Sequence, residues 1–216
     1  MKPIIVINPN STQAVTDGID EAVEPLRMHG GPAIECLTLD EGPPGIETQE
    51  HVDAVVAPLC NLIVEREPSS SAFVIACYSD PGLQQARASI SKPVFGIAES
   101  AMLVALTRGA RFGVISILEG SIPRHQKYVC KLGLEYRLAG DRAIGLCVTE
   151  LADQDRTFGR LVWVGSLLRD EDGAEVLIMG CAGMARYRDR LEDAVGLPVI
   201  DPTQAAVTLA IGAVLL

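Results

Sequence analysis

Apolar residues along this chain fall into two kinds of stretch. The first kind is short, continuous and rich in Val and Ile, as in PIIVI at residues 3–7. Such runs, bounded by Gly, Pro, Asn and Ser, read as buried strands. They predict strands at 3–7, 34–39, 73–77, 94–97, 111–116, 175–180 and 198–200, with a weaker one inside 134–148. In the second kind, apolar positions recur at helical spacing. They predict helices over 13–26, 47–67, 98–108, 122–132, 155–168, 186–195 and 203–215, and one opened by Asp80-Pro81 and closed before Lys92-Pro93. Punctuation agrees with these limits. Ser11 or Thr12 serves as an N-cap, as does Asp80 with Pro81 in the first helical position, while Gly109, Gly133 and Gly196 close helices. Strands alternating with helices predict an α/β fold with parallel sheets.

The pattern runs through twice. In the first pass a strand ends at Cys77, a turn and a helix follow, and Pro93 begins the next strand 16 residues on. In the second a strand ends at Cys181, and Pro198 lies 17 residues beyond it. The stretch LIMGCAGM at 177–184 thus echoes FVIACYSDPG at 73–82: a strand, a cysteine, then a turn. A period this long is no solenoid. It predicts two similar α/β halves of roughly 100 residues, an ordinary domain size.

Composition narrows the chemistry. The chain has 216 residues, 48% of them hydrophobic, and a formal net charge of −10. An acidic chain without clustered Lys and Arg is a poor match for nucleic acid. No apolar stretch approaches the ~18–20 residues of a membrane span, and residue 3 already opens a strand with no leader before it, so a cytoplasmic location is expected. The six cysteines form no CxxC motif and no zinc-spaced cluster with His. Cys36, Cys60, Cys130 and Cys147 read as structural. His29, His51 and His125 are scattered and read as surface or half-buried.

Cys77 and Cys181 differ from the other four because they end strands in matching contexts. Ligands of parallel sheets bind outside the carboxyl ends of the strands. If the halves face each other, both thiols enter one cleft from opposite sides. Two thiols flanking a carbon suit inversion of a stereocentre: one thiolate removes a proton and the other thiol returns one on the far face. No Lys or His adjoins either cysteine, so the following helix starts are expected to favour the thiolates. Backbone N–H groups there and around residues 10–12 could bind the oxygen that gains charge. Such a site calls for no metal and no organic cofactor, and the chain contains neither GxGxxG nor a P-loop.

The motifs VINPNST (6–12), ACYSDPGL (76–83), GIAE (96–99) and GCAGM (180–184), in this order over nearly the whole chain, resemble the hydantoin/allantoin racemase branch of the aspartate/glutamate racemase superfamily. The resemblance implies a cofactor-independent racemase of two pseudo-symmetric α/β domains, with the active site in the cleft between them. It implies a C-terminal helix that returns to the first domain, giving domains of 1–98 plus 204–216 and 99–203. A homo-oligomer acting on a small molecule is implied, with no nucleic-acid or membrane partner. Cys77 and Cys181 would be the acid/base pair. Asn8, Asn10, Ser11, Ile46, Tyr78, Ser79, Asp80, Ser116, Ala182 and Gly183 would bind substrate, with Ile46 over its ring. The chain departs from the family at Ser116-Ile117, where Thr-Thr is common, and at Tyr78-Ser79, where Phe-Gly or Phe-Asp is common. Each departure bears on which substrate is taken. A 5-substituted hydantoin such as allantoin fits, since its stereocentre adjoins a ring carbonyl and deprotonation gives a delocalised enolate. The alternatives are an acidic-amino-acid racemase, a maleate-isomerase-like enzyme in which one Cys adds to carbon, a small-molecule sensor, and a redox pair.

Overall fold

The computed structural model describes residues 1–216. Its first half contains strands β1 (Ile4–Asn8), β2 (Ile34–Thr38), β3 (Ala72–Ile75) and β4 (Val94–Gly96). Its second half contains β5 (Phe112–Ser116), β6 (Leu138–Ala143), β7 (Val176–Met179) and β8 (Val199–Ile200). They form two four-stranded parallel sheets ordered β2-β1-β3-β4 and β6-β5-β7-β8, the same order in each. Every position of β1, β3, β5 and β7 is buried, as central strands covered on both faces require.

The helices are α1 (Gln13–Val23), α2 (Gln49–Ala54), α3 (Val56–Arg66), α4 (Leu83–Ser89), α5 (Ile97–Ala105), α6 (Ile122–Lys131), α7 (Gln154–Asp170), α8 (Arg188–Val195) and α9 (Pro202–Leu215). The single helix expected over 47–67 is two, broken at Val55. Pro58 explains the break: its ring cannot coexist with a helical carbonyl at residue 54. Pro25 likewise turns the end of the first helix into a 3-10 turn at Glu24–Leu26. The expected start of the eighth helix at 186 is instead a 3-10 turn, Ala182–Tyr187, leading into α8.

Helices α5 and α9 are exchanged between the halves. Helix α5 follows the last strand of the first sheet, yet Ala98, Ala101, Met102 and Ala105 pack with Phe112, Val114, Val176 and Ile178 of the second. Helix α9 follows the last strand of the second sheet, yet Ala206, Val207, Ala210 and Ile211 pack with Ile4, Val6 and Val74 of the first. The two helices also pack against each other. Burial of these apolar faces at roughly 25 cal/mol per Å² joins the halves through their cores.

Strand register makes the repeat quantitative. Ile7 pairs with Ile75 in one sheet, and Ile115 with Met179 in the other. Asn8 and Ser116, one residue on from Ile7 and Ile115, are therefore equivalent positions, as are Cys77 and Cys181, two residues on from Ile75 and Met179. Ile75 pairs with Gly96 and Ile178 with Ile200, which makes Gly96 the counterpart of Asp201. Asp201 is the N-cap of α9, its Oδ1 accepting from the Gln204 N–H at 2.7 Å. Gly96 has no side chain to do this for α5. Asp80 does it instead: its Oδ1 accepts from the Ala98 N–H and its Oδ2 from the Glu99 N–H, each at 2.9 Å. A Cβ on residue 96 would overlap that carboxyl group.

This is why Asp80 does not cap the helix that follows it. Its φ of +43° and the +68° of Gly82 turn the chain through the left-handed region, and α4 begins only at Leu83. The other expected cap is also rearranged. Thr12 occupies the N-cap of α1, but its hydroxyl donates to the Pro44 carbonyl at 2.8 Å, and Asn10 Oδ1 accepts from the Thr12 N–H.

Candidate active site

The carboxyl ends of the two sheets open on one cavity, which encloses about 470 Å³ of empty space counting its open mouth. The first half supplies Asn10, Val15, Ile46, Ala76, Cys77, Tyr78 and Ser79; the second supplies Ile117, Ser121, Arg124, His125, Val148 and the segment Gly180-Cys181-Ala182-Gly183. Cys77 and Cys181 are half-buried in its wall, and all six cysteines are free thiols. Gly180 is required just before Cys181, because a Cβ there would lie 2.7 Å from the Ile115 carbonyl oxygen.

Of the residues expected to meet substrate, Asn10, Ile46, Tyr78, Ser79, Ala182 and Gly183 line this cavity together with the two thiols. Asn8, Ser11, Asp80 and Ser116 do not line it. The Asn8 amide donates to Asn10 Oδ1 at 3.1 Å and to Thr16 Oγ1 at 3.0 Å, which orients Asn10. Ser11 donates its N–H to the Pro43 carbonyl at 3.0 Å. Asp80, besides capping α5, accepts from the Tyr128 hydroxyl at 3.1 Å, fixing the Cys77 turn to the second half. Ser116 is fully buried and donates to Asp141 Oδ1, with His125 Nδ1 3.0 Å away.

The environment of the thiols departs from the expectation of paired helix starts. Cys181 directly precedes the 3-10 turn at Ala182–Tyr187, but Cys77 is followed by an irregular turn, and no helix starts until Leu83. The shared feature is smaller: the backbone N–H two residues on, that of Ser79 for Cys77 and of Gly183 for Cys181, favours the thiolate. Burial opposes this donor and dominates. It pushes the Cys77 thiol up to about 12, with Cys181 and Asp80 adding repulsion and the Arg124 guanidinium countering them. It pushes Cys181 up to about 11, with Asp201 and Glu47 adding repulsion. Both sulfurs therefore favour their protonated form at neutral pH.

Arg124 went unnoticed in the sequence, and His125 was given no role in the site. His125, read there as surface or half-buried, is only 4% exposed. Its ring stands edge-on to Tyr78 with centroids 5.1 Å apart, and Asp141 Oδ2 lies 3.0 Å from its Nδ1. The Tyr78 hydroxyl is buried with no hydrogen-bond partner. Arg124 donates from Nε to Ser79 Oγ at 3.1 Å across the two halves. The usable signal was position: α6 starts just beyond the carboxyl end of β5, so its first turn reaches the ligand edge of the sheet. Cys130, grouped with the structural cysteines, is exposed on the same helix.

The loop carrying Ile46 meets the segment carrying Val148, both in the cavity lining. Glu47 Oε1 accepts from the Val148 N–H at 3.0 Å, linking the halves. Gly45 packs so closely there that an added Cβ would lie 3.0 Å from Val148 Cβ.

The comparisons agree with this architecture. The family model described as Asp/Glu/Hydantoin racemase matches residues 4–210. A hydantoin racemase from Rhizobium meliloti is 36% identical over 210 residues, covering 96% of this chain and 86% of that one. The structure of an allantoin racemase from Klebsiella pneumoniae superposes with a TM-score of 0.91 at 30% identity, covering 100% of this chain and 88% of that one. An allantoin racemase from Pseudomonas fluorescens superposes with a TM-score of 0.93 at 28% identity over 98% and 90% of the two chains. By motif order, strand topology and these matches along its length, the chain belongs to the Asp/Glu/hydantoin racemase family.

Proposed function

We propose that this enzyme racemises a 5-substituted hydantoin, a class that includes allantoin, with Cys77 and Cys181 as its two acid/base groups. One thiolate takes the proton from the ring stereocentre, and the electron pair of that C–H bond moves into the adjoining carbonyl as an enolate. The opposite thiol then gives its proton to the other face. The first sulfur ends as a thiol and the second as a thiolate, ready for the reverse direction.

The observation that carries this reading is the equivalence of the two cysteines. They occupy the same register position in two sheets of one topology and line one cavity. A mirrored pair suits a reaction whose two directions are mirror images. Val15, Ile46, Ile117 and Val148 give the cavity an apolar side against which a planar ring can lie.

The test is proton exchange in heavy water on a single hydantoin enantiomer. The wild-type protein is expected to lose the optical rotation of the substrate and to place deuterium at the stereocentre. Cys77→Ser and Cys181→Ser should each slow racemisation by about 10²–10⁴-fold, the usual worth of a positioned acid or base. Full activity in both variants would end the two-thiol reading. Binding without turnover would favour a sensor, and a loss of two hydrogens in mass on oxidation would favour a redox pair.

A further inference from the structure

Arg124 is the one formally charged side chain in the cavity wall, with no Asp or Glu beside it there. Its guanidinium is half-buried, and its only protein partner is Ser79 Oγ, reached through Nε. It belongs to none of the ion pairs of the fold. Nη1 and Nη2 thus keep their donor hydrogens free, in a protein whose net charge is −10 and in which seven other arginines pair with carboxylates.

A desolvated cation without a counter-charge costs stability. The acidic groups that act on it are the Cys77 thiol and the exposed Asp53, and burial still makes its protonated form harder to keep than that of a free arginine. Ser79 accepts from Arg124 and donates to no protein atom, so its hydroxyl proton is also unspent. Together these two residues present a cluster of donors in a cavity that Val15, Ile46 and Val148 also line. The fork of a guanidinium matches the two oxygens of a carboxylate.

We infer that Arg124, with Ser79, is a specificity-determining site for a carboxylate on the substituent of the substrate, so that the preferred substrate is a hydantoin with an acidic side chain. This rests on the hydantoin-racemase reading above. A neutral substituent of the same shape would leave the guanidinium unpaired, and sites built to hydrogen-bond a group discriminate strongly against analogues lacking it.

The experiment compares kcat/KM for racemisation of 5-(2-carboxyethyl)hydantoin, its isosteric 5-(2-carbamoylethyl) amide and 5-isobutylhydantoin, in wild type, Arg124→Gln and Arg124→Lys. Wild type is expected to favour the carboxylate over the amide by about 10- to 100-fold, the worth of a charge-assisted pair. The ratio should shrink as salt is added. Arg124→Gln should bring it near one, and Arg124→Lys should retain part of it. Equal rates on carboxylate and amide in the wild type would overturn the inference without any variant. So would an equal fall on all three substrates in Arg124→Gln, which would assign the guanidinium to the ring or to the Cys77 thiolate. If the isobutyl compound racemises and the acid has no advantage, only this inference fails. If none of the three exchanges its proton, the racemase reading fails with it.

Discussion

Tyr78→Phe should make this protein more stable. The Tyr78 side chain is 4% exposed, and its hydroxyl is buried without a partner. Burial pushes the phenol well above its usual pKa, and the Asp141 and Asp80 carboxylates push it further, so the group stays neutral and keeps its proton. An unsatisfied buried polar group costs about 1–3 kcal/mol. Phenylalanine keeps the edge-on contact with His125, at 5.1 Å and 81°, and removes only the oxygen. For a chain of this size 1 kcal/mol moves Tm by roughly 2–4 °C, so a rise of at least about 2 °C is expected. Scanning calorimetry measures it, and urea unfolding with an unchanged m-value verifies that the native state, not its compactness on unfolding, accounts for it. A variant that melts at or below the wild-type temperature would refute the argument, because it would mean the hydroxyl is bonded in solution.

Four further outcomes follow from the site and its supports. Because burial holds Cys77 near 12 and Cys181 near 11, the thiolate needed as base is scarce at neutral pH, so kcat/KM should rise about tenfold per pH unit from pH 7 to 9; a flat profile contradicts this. The same raised values imply that stability is complete below the ordinary thiol pKa and declines as pH climbs from there toward 11, which chemical denaturation at stepped pH would detect. Gly96→Ala should cost at least about 2 kcal/mol, since the new methyl displaces the Asp80 carboxyl that caps α5; a melting curve unchanged from wild type would count against the cap. Glu47→Ala removes the acceptor that ties the Ile46 loop to Val148 and should raise KM by about 2- to 10-fold, the worth of one hydrogen bond, with kcat nearly kept; steady-state racemisation kinetics separate the two constants.

The sheets were legible because their signal is local. Buried parallel strands are continuous apolar runs, and β1, β3, β5 and β7 stand out as such. The repeat was legible through spacing, and register turned the spacing from Cys77 and Cys181 into positional equivalence. Residues whose partners are distant in sequence were not legible. Asp80 reads as a cap for the helix beside it, yet it caps a helix that starts at Ile97, because a glycine at 96 leaves the room. Arg124 and His125 lie on an amphipathic helix whose local pattern says only which face is apolar; that its first turn meets a cavity shared with Cys77 depends on how the two sheets face each other. The break at Val55 was readable from Pro58 by the carbonyl clash, and was outweighed by the apolar stripe running through it.

The trading of α5 and α9 bears on ancestry. Cut the chain near Gly109 and each fragment keeps a full sheet, but the sheet lacks one covering helix and the fragment carries a spare one. Two identical copies of such a half-length chain would complete each other by reciprocal loan of their last helices. A pair bound that way already possesses a twofold axis with one cysteine on either side of it. Joining the copies end to end would then leave the chemistry in place and free each sequence to drift, one keeping an aspartate at 201 and the other a glycine at 96. Separately produced fragments 1–109 and 110–216, mixed together, are expected to reconstitute what neither can fold alone.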